Sequence, residues 1–299
     1  MNRLIKQAFT LIELLVVIAI IGILSGLIVV SMGGVTNKAT IAKAQVFSNS
    51  LRNSLMLNLV TEYKFDNAVT DSWGDNDGTW SGPTGTNTSA NYLSDSECVS
   101  GQCLNFDGTD DFVNIPNNDI LNLGDGDKGS VEIWVKVSTW PSSGYPSFIK
   151  KGTGGGWSAG SYHISFWGNY IRYVIYSSTT ANNNVAVSAP SVNTWHHYVL
   201  TWSGVGGLVK GYLDGIAVNT GTSQTIKADF GITFPVRIGV GTDYFSGTID
   251  GVRIYNTAIP TSQIQEQYYA GLNKLLTTGQ ITQKDYIDRI SGLAINSLD

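Results

Sequence analysis

Charged residues are scarce in this chain, and neither sign dominates. Only 14% of the 299 residues are Asp, Glu, Lys or Arg, and the formal net charge is −5. No basic patch recurs along the sequence, which argues against nucleic acid as a partner. With 42% apolar and 11% aromatic residues, the composition is that of a folded protein with a sizeable core.

Histidine is also rare, which narrows the chemistry that side chains can perform. Of the three histidines, His196 and His197 are adjacent, so on a strand they point to opposite faces and cannot chelate one ion together. His163 stands alone, and we expect structural roles for all three. No Ser/His/Asp grouping is visible along the linear sequence, so only a spatial arrangement is left open.

Only two cysteines are present, Cys98 and Cys103, with four residues between them. Because histidines are so few, a zinc site is disfavoured, and the spacing differs from the redox motif Cys-x-x-Cys. In an exported chain, an even pair at this spacing indicates a small disulfide loop. We therefore predict a Cys98–Cys103 disulfide that fixes the hairpin leading into the next strand.

Against this background one long apolar run stands out, residues 9–32. As a helix it would be about 36 Å long, enough to cross a bilayer core of about 30 Å. A cleaved signal peptide fits poorly, because its apolar region is about 7–15 residues long and ends in an A-x-A-like site. A plain anchor, with Arg3 and Lys6 in the cytoplasm, leaves Glu13 unexplained, since a carboxylate there costs at least about 2.5–3.5 kcal/mol.

The residues around Glu13 resemble the cleavage and methylation signature of type IV pilins and of the related pseudopilins of type II secretion. The matching stretch is Lys6-Gln7-Ala8-Phe9-Thr10-Leu11-Ile12-Glu13-Leu14. The resemblance implies that a prepilin peptidase removes leader 1–8, that Phe9 becomes N-methylated, and that Glu13 neutralises a terminal amine as subunits enter a filament. Ala8 departs from the family's usual Gly, which bears on the efficiency of cleavage. Other pilin subunits and the inner membrane are the further partners implied.

Downstream of Gly33-Gly34, residues 35–59 continue the helix in amphipathic form. From about Val60 the periodicity changes to alternating polar and apolar residues in short runs between Gly, Asn and Asp turns. Roughly a dozen such strands predict a two-sheet sandwich. The strongest hairpin signal is Leu213-Asp214-Gly215-Ile216, because Asp-Gly supplies the positive φ values of a tight turn.

Residues 60–256 resemble the laminin G-like, concanavalin A-like jelly rolls, because six motifs occur in the order typical of that family. They are Tyr63-Lys64-Phe65-Asp66, Cys103-Leu104-Asn105-Phe106-Asp107-Gly108, Val131-Glu132-Ile133-Trp134-Val135-Lys136, the segment 194–202, Gly211-Tyr212-Leu213-Asp214-Gly215, and the segment 245–255. Fold does not fix activity. Retaining glycoside hydrolases that resemble this fold carry Glu-x-Asp-x-x-Glu on one strand, and the five glutamates here form no such motif. We therefore expect no enzyme.

The same resemblance implies a structural calcium ion, because jelly rolls of this type often gather acidic residues from their first, early and last strand motifs. The corresponding residues are Asp66, Asp107 and Asp250, and hard oxygen ligands suit calcium. The alternative is that these carboxylates cap turns by binding nearby backbone N–H groups. No cofactor is expected to be required.

The eight tryptophans fall into two groups. Trp134, Trp195 and Trp202 lie in strand motifs and are expected in the core. The others lie near Gly/Ser/Asn-rich loops, where exposed rings could stack on a carbohydrate, although lone surface aromatics are common. The candidates for contact with a carbohydrate or other surface ligand are Trp73, Trp80, Trp157 and Trp167.

The C-terminal segment 257–299 is predicted to form a helical hairpin divided near Gly279 and packed against the sandwich. The fold class is therefore α+β, with a long transmembrane or filament helix 9–59, an all-β concanavalin A-like sandwich and a short helical hairpin. The predicted function is a type IV pilin-like filament subunit, held first in the inner membrane with its head outside and then displayed in a pilus at the cell surface. A type II secretion pseudopilin and a membrane-anchored binding protein that never polymerises are the alternatives.

Overall fold

The computed structural model describes residues 57–82, 92–123, 128–152, 162–176, 182–203, 207–222 and 233–296. All belong to the second of the two units, residues 55–299, into which the chain divides. The predicted leader, segment 9–32 and residues 35–56 lie outside the described residues. Within the described ranges, no helix has the length and apolar content needed to cross a membrane. The predicted helix does not extend to Leu59, because this residue already begins the first strand.

Fifteen strands in the described residues form two antiparallel sheets, as the alternating pattern predicted. Their bounds are β1 Leu59–Tyr63, β2 Thr79–Ser81, β3 Tyr92–Leu93, β4 Cys103–Asp107, β5 Phe112–Ile115, β6 Lys128–Val137, β7 Ser147–Lys151, β8 Tyr162–Trp167, β9 Tyr170–Tyr176, β10 Asn182–Ser188, β11 Trp195–Ser203, β12 Leu208–Leu213, β13 Ile216–Thr222, β14 Val236–Ile238 and β15 Ser246–Tyr255.

One sheet has eight strands in the order β13-β12-β11-β6-β15-β4-β3, and β1 pairs with the second half of β15. The other has seven strands in the order β10-β9-β8-β7-β14-β5-β2. The β12–β13 connection is the predicted Asp-Gly hairpin, with φ of 53° at Asp214 and 77° at Gly215. The last strand, β15, therefore lies inside the eight-stranded sheet, between β6 on one side and β4 and β1 on the other.

The main core fills the space between the two sheets. Alternate residues of each strand point inward, so that Tyr198 from one sheet meets Phe148 from the other, and Phe106 meets Trp80. The ring centroids of Phe148 and Tyr198 are 5.0 Å apart. Trp202 also lies in this core, as predicted, and its indole N–H donates to the carbonyl of Leu123 at 3.2 Å.

Two helices follow the sandwich, α1 Thr261–Thr277 and α2 Gln283–Asn296. Gly279, with φ of 74°, lies between them, so the predicted hairpin and its break are confirmed. Thr282 precedes α2 and its hydroxyl accepts the N–H of Asp285 at 3.1 Å, which satisfies a backbone donor at the start of that helix.

The helices pack on the outer surface of the eight-stranded sheet and form a second apolar cluster. Tyr268 of α1 stacks on Trp134 with 5.6 Å between ring centroids, and Leu272 is fully buried in the same cluster. The predicted disulfide between Cys98 and Cys103 is present and lies buried beside these residues. The C-terminal helices therefore cover one face of the sandwich.

Beneath the helices lies a buried group of charged side chains. Glu132 Oε1 accepts hydrogen bonds from His197 Nε2 at 3.0 Å and from Arg253 Nη1 at 3.1 Å, and Arg253 Nε donates to Glu62 at 2.7 Å. Burial raises the pKa of Glu132, but the charge of Arg253 and the bond from His197 outweigh it, so the net pKa is lowered. His197 thus has the structural role expected for it.

Candidate ligand-binding face

The seven-stranded sheet carries a transverse row of side chains on the face turned away from the core. Backbone pairing places Lys150 of β7 opposite both His163 of β8 and Arg237 of β14. Their chain neighbours Ile164 and Ile238 belong to the core, so the row itself points outward. From β10 to β2 the row is Asn184, Val174, His163, Lys150, Arg237, Asn114 and Thr79. We call this side of the sheet the outer face; within the row, Val174 and His163 are buried, at 0% and 7% exposure.

Two guanidinium groups on the outer face lie over aromatic rings. The Arg172 guanidinium carbon is 4.0 Å from the centroid of Trp167, and that of Arg237 is 5.7 Å from the centroid of Phe112. Arg172 Nε also donates to Asn184 at 3.2 Å. Such cation–π contacts hold a guanidinium in a defined plane, and Arg172 is buried there, with 7% exposure.

Burial and like charge set the protonation of the row. Burial lowers the pKa of Lys150, and the positive charge of Arg237 lowers it further. Burial also lowers the pKa of His163 to about 3, helped by the charges of Lys150 and Arg172. His163 is therefore neutral at pH 7, and Lys150, Arg172 and Arg237 supply the cationic side chains of this face.

Exposed aromatic rings border the outer face at the β8–β9 hairpin. Trp167 pairs with Tyr170 across the turn, and Gly168 in that turn has φ of 64°, which favours glycine. Trp167 is 44% exposed, Tyr145 47% and Tyr170 53%. Trp167 and Tyr145 meet edge to face with 5.7 Å between ring centroids. Large exposed rings in contact with each other provide a platform for a ligand with an apolar face.

Of the four tryptophans predicted to contact a ligand, two are exposed in the structure. Trp167 lies on this platform, and Trp73 is 43% exposed in the turn after Asp71. The prediction for Trp80 is wrong, because its side chain points between the sheets and packs on Phe106 with 5.4 Å between centroids. Trp157 lies outside the described residues.

The three acidic residues predicted to share calcium are not brought together. Asp66 and Asp250 bind the same loop. Asp66 accepts the backbone N–H of Gln102, and Asp250 accepts those of Val99 and Ser100, each at 2.8 Å. Asp107 pairs with Ser246, four residues before Asp250 on β15, so the two backbones are about 13 Å apart along the strand. The carboxylates of Asp107, Asp110 and Asp111 instead have oxygens within 4.8 Å of one another.

A spatial Ser/His/Asp arrangement does occur, which the linear sequence could not reveal. His196 Nδ1 lies 2.7 Å from Asp214 Oδ2, and His196 Nε2 lies 3.5 Å from the hydroxyl of Ser191. Asp214 Oδ1 also accepts the backbone N–H of His197 at 2.9 Å. Because Asp214 is in the turn of the β12–β13 hairpin, these bonds attach that turn to β11, and His196 and His197 point to opposite faces as predicted.

Sequence reasoning missed the cationic side chains of the outer face, Lys150, Arg172 and Arg237. Their alternation with core residues indicated that they lie on the other side of the sheet, but their mutual proximity depends on strand order and register. Ala8, Phe9 and Glu13 lie outside the described residues, so their predicted roles in cleavage, methylation and assembly stay predictions.

Comparison with known proteins supports both resemblances. A family model described as the concanavalin A-like lectin/glucanases superfamily matches residues 107–265, and one described as the prokaryotic N-terminal methylation motif matches residues 4–29. The adhesion G-protein coupled receptor V1 of Danio rerio is 24% identical over 148 residues, which are 46% of this chain and 2% of that receptor. The match thus spans a very small part of the receptor's length.

Solved structures give the same fold. Domain 4 of AbnA, an extracellular arabinanase from Geobacillus stearothermophilus, solved in complex with arabinotriose, aligns with a TM-score of 0.52 and 21% identity, covering 70% of this chain and 97% of that domain. A structure of botulinum neurotoxin type C, whose cell entry depends on two ganglioside molecules, aligns with a TM-score of 0.57 and 13% identity, covering 74% and 53% of the two chains. At these identities the likeness shows the fold alone.

Proposed function

Because this chain belongs to the concanavalin A-like lectin/glucanases superfamily and its residues 4–29 match the prokaryotic N-terminal methylation motif, we propose that it is a type IV pilin-like filament subunit with a carbohydrate-binding head. The observation that carries the proposal is the presence of both segments in one chain. The N-terminal motif accounts for export and assembly, and the lectin-like domain accounts for what the filament displays.

The assembly half of the proposal depends on Ala8, Phe9 and Glu13. Cleavage after Ala8 would leave Phe9 as a methylated terminal residue, and Glu13 would neutralise a terminal amine within the filament. The mechanism explains why a carboxylate is retained in an apolar segment, since an ionisable residue there implies a partner. The precursor would lie in the inner membrane with its head outside and would later reach the cell surface in a pilus.

The binding half of the proposal depends on the outer face. Exposed rings of Trp167, Tyr145 and Tyr170 offer flat apolar surfaces beside polar donors, which is the composition of a ligand site. One similar fold was solved in complex with arabinotriose, and another comes from a neurotoxin whose cell entry depends on two ganglioside molecules. These facts support carbohydrate as the ligand, and we propose that the head binds this ligand without chemical change to it.

Mass spectrometry of the mature N-terminus tests the assembly half. We expect a chain that begins at methylated Phe9 in cells with the prepilin peptidase, and a full-length chain in cells without it. Surface fibres that contain the protein should disappear when the assembly ATPase is deleted. An unprocessed N-terminus would identify a non-polymerising anchored protein, whereas processing without surface fibres would favour a pseudopilin of type II secretion.

A further inference from the structure

A buried lysine lies at the end of β7, on the side of the sheet that faces the core. Backbone pairing places Lys151 opposite Val236 of β14 and Tyr162 of β8, whose side chains belong to the core. Because residues directly opposite each other point to the same side of a sheet, the Lys151 side chain also points inward. It is buried, at 0% exposure. A charged amine is costly in such a place, so the atoms around Nζ decide its state.

Two neutral oxygens hold the amine of Lys151. Nζ donates hydrogen bonds to Oδ1 of Asn117 and to the backbone carbonyl of Phe234, each at 2.8 Å. Burial lowers the pKa of Lys151 to about 8, although the charge of Asp119 opposes this. At pH 7 roughly one molecule in ten therefore has a neutral amine here, compared with less than about one in a thousand for an ordinary lysine. A neutral amine is a nucleophile, whereas an ammonium group is not.

The amide carbon of Asn117 lies close to this amine. Since a carbonyl bond is about 1.23 Å long, the 2.8 Å hydrogen bond to Oδ1 places Nζ no more than about 4 Å from Cγ. Reacting atoms held about 3–3.5 Å apart are in a near-attack geometry, so a small rotation of the lysine side chain is enough. An amine and an amide carbon held in this way react within one molecule, which removes the entropic cost of a bimolecular encounter.

The strands keep the two groups in place. Ile115 at the end of β5 pairs with Val236, and Val236 pairs with Lys151 on its other side. Asn117 follows β5 after Pro116, whose ring fixes its own φ and restricts the residue before it. The Lys151 side chain therefore reaches past β14 to a residue whose backbone is held by the end of β5. A covalent bond between the two side chains would tie β5 to β7.

We propose that Lys151 and Asn117 condense to form an amide cross-link within the head. The neutral amine attacks Cγ of Asn117, so a bond from Nζ to Cγ forms and the bond from Cγ to the side-chain nitrogen Nδ2 breaks. Nδ2 takes the proton that Nζ loses and leaves as ammonia, so the condensation needs no oxidant or other reactant. The product replaces a buried amine by an uncharged amide, whose one N–H has the carbonyl of Phe234 as its acceptor. The cross-link is independent of the proposed assembly and binding functions.

Peptide mapping of the full-length native chain by mass spectrometry tests the proposal. After reduction and alkylation, we expect trypsin to release one branched peptide that joins Lys151 to Asn117. This peptide should be lighter by one ammonia than the two linear peptides together, and trypsin should not cut after Lys151, because its amine is blocked. Recovery of Lys151 and Asn117 only in linear peptides would overturn the proposal. So would loss of ammonia without a branched peptide, which would indicate a succinimide at Asn117. The native chain alone decides the question, so it does not depend on any variant folding.

Three variants test what the cross-link does for the fold. Lys151→Met and Asn117→Ala should each abolish the branched peptide, whereas Lys150→Arg, at the neighbouring position on β7, should keep it. The two cross-linking residues are 34 positions apart, so the bond restricts the unfolded chain as a disulfide would. We therefore expect both variants to unfold about 7–14 °C below the native chain. The double variant should unfold at about the same temperature as either single one, because both remove the same bond. Loss of the branched peptide in Lys150→Arg would contradict the assignment to Lys151.

Discussion

At the scale of single residues, Asp250 is a carboxyl group fully buried beside the disulfide loop. Its Oδ2 accepts the N–H groups of Val99 and Ser100, yet burial raises its pKa from 3.8 to about 7. In the unfolded chain the same group ionises near its ordinary value. Between about pH 4 and pH 7 the folded chain therefore holds a proton that the unfolded chain has lost, and stability falls as the pH rises through this window.

Asp250→Asn keeps an oxygen acceptor for both N–H groups and removes the ionisation. We expect the free energy of unfolding of the variant, relative to that of the native chain, to increase between about pH 4 and about pH 8. Urea unfolding across this range measures it. Asp66→Asn is the matched control, because Asp66 binds the same loop but is exposed. Parallel pH profiles for Asp250→Asn and the native chain would contradict the prediction.

Structural calcium stays a prediction, and the structure changes which carboxylates it would use. Asp111 is 2% exposed and its Oδ1 has no hydrogen-bond partner in the described residues. Burial and the neighbouring charges of Asp107 and Asp110 raise the pKa of Asp111, although the N–H of Asp107 opposes this. A divalent cation would offset the repulsion among the three carboxylates, and oxygen ligands of this kind suit calcium.

Calcium is therefore expected to raise the unfolding temperature of the native chain, because a ligand that binds the folded state stabilises it. The shift should be absent from Asp111→Asn and present in Asp66→Asn, since Asp66 lies on a different loop. Thermal unfolding with added calcium or with EDTA measures the shift. An unfolding temperature that is independent of calcium in the native chain would rule the ion out.

At the scale of elements, the packing of α1 depends on a glycine. A Cβ atom at Gly271 would come within 2.3 Å of Trp134 Cζ2, so the helix can approach the indole ring only because this side chain is missing. Gly292 in α2 has the opposite surroundings, because a Cβ there would meet no heavy atom within 4 Å. The two glycines lie in neighbouring helices and give a matched comparison.

Gly271→Ala is expected to destabilise the head by about 1–3 kcal/mol, because the added methyl group overpacks the contact with Trp134. Gly292→Ala should stabilise it by about 0.5–1 kcal/mol, since alanine favours the helix over the unfolded chain. Chemical denaturation followed by tryptophan fluorescence measures both. Equal effects of the two substitutions would show that α1 does not depend on close contact with Trp134.

The alternation of residues and the Asp-Gly and Gly279 signals were enough to predict the strands, one hairpin and the helical pair. They were not enough for the candidate site, because Lys150, His163 and Arg237 become neighbours through strand order and register, which a linear pattern does not contain. Trp80 was misassigned for a related reason. Its strand, Thr79–Ser81, has three residues, too few for alternation to show which face is buried.

At the scale of the whole molecule, the N-terminal motif and the lectin-like domain have different proposed functions. The N-terminal motif was predictable because it is a contiguous run of residues, and the lectin-like fold because its motifs occur in order. The cluster of cationic side chains on the outer face was not, since residues from several strands of one sheet form it. The two functions can therefore be tested by independent substitutions.

Glu13→Gln is expected to abolish or strongly reduce incorporation into filaments while leaving the head folded. The neutral side chain lowers the cost of remaining in the membrane, at least about 2.5–3.5 kcal/mol for a charged group, and cannot neutralise a terminal amine. Quantification of the protein in sheared surface fibres measures the effect, and the Cys98–Cys103 disulfide reports folding. Glu97→Gln, at an exposed acid of the head, should assemble normally. Normal fibres from Glu13→Gln would contradict the assembly mechanism.

The pairing of β1 with β15 also bears on how the chain is made. Leu59 is the strand partner of Tyr255, and β15 is the strand that joins β6 to β4 and β1. A polypeptide that threads across a membrane with its early residues first would present β1 long before its partner emerges. Closure of the sandwich must then wait for the end of translocation, because loops of this length close late. Nascent heads would spend that interval open to proteases and chaperones, and a ribosome that stalls before Ser246 would release a product that cannot fold.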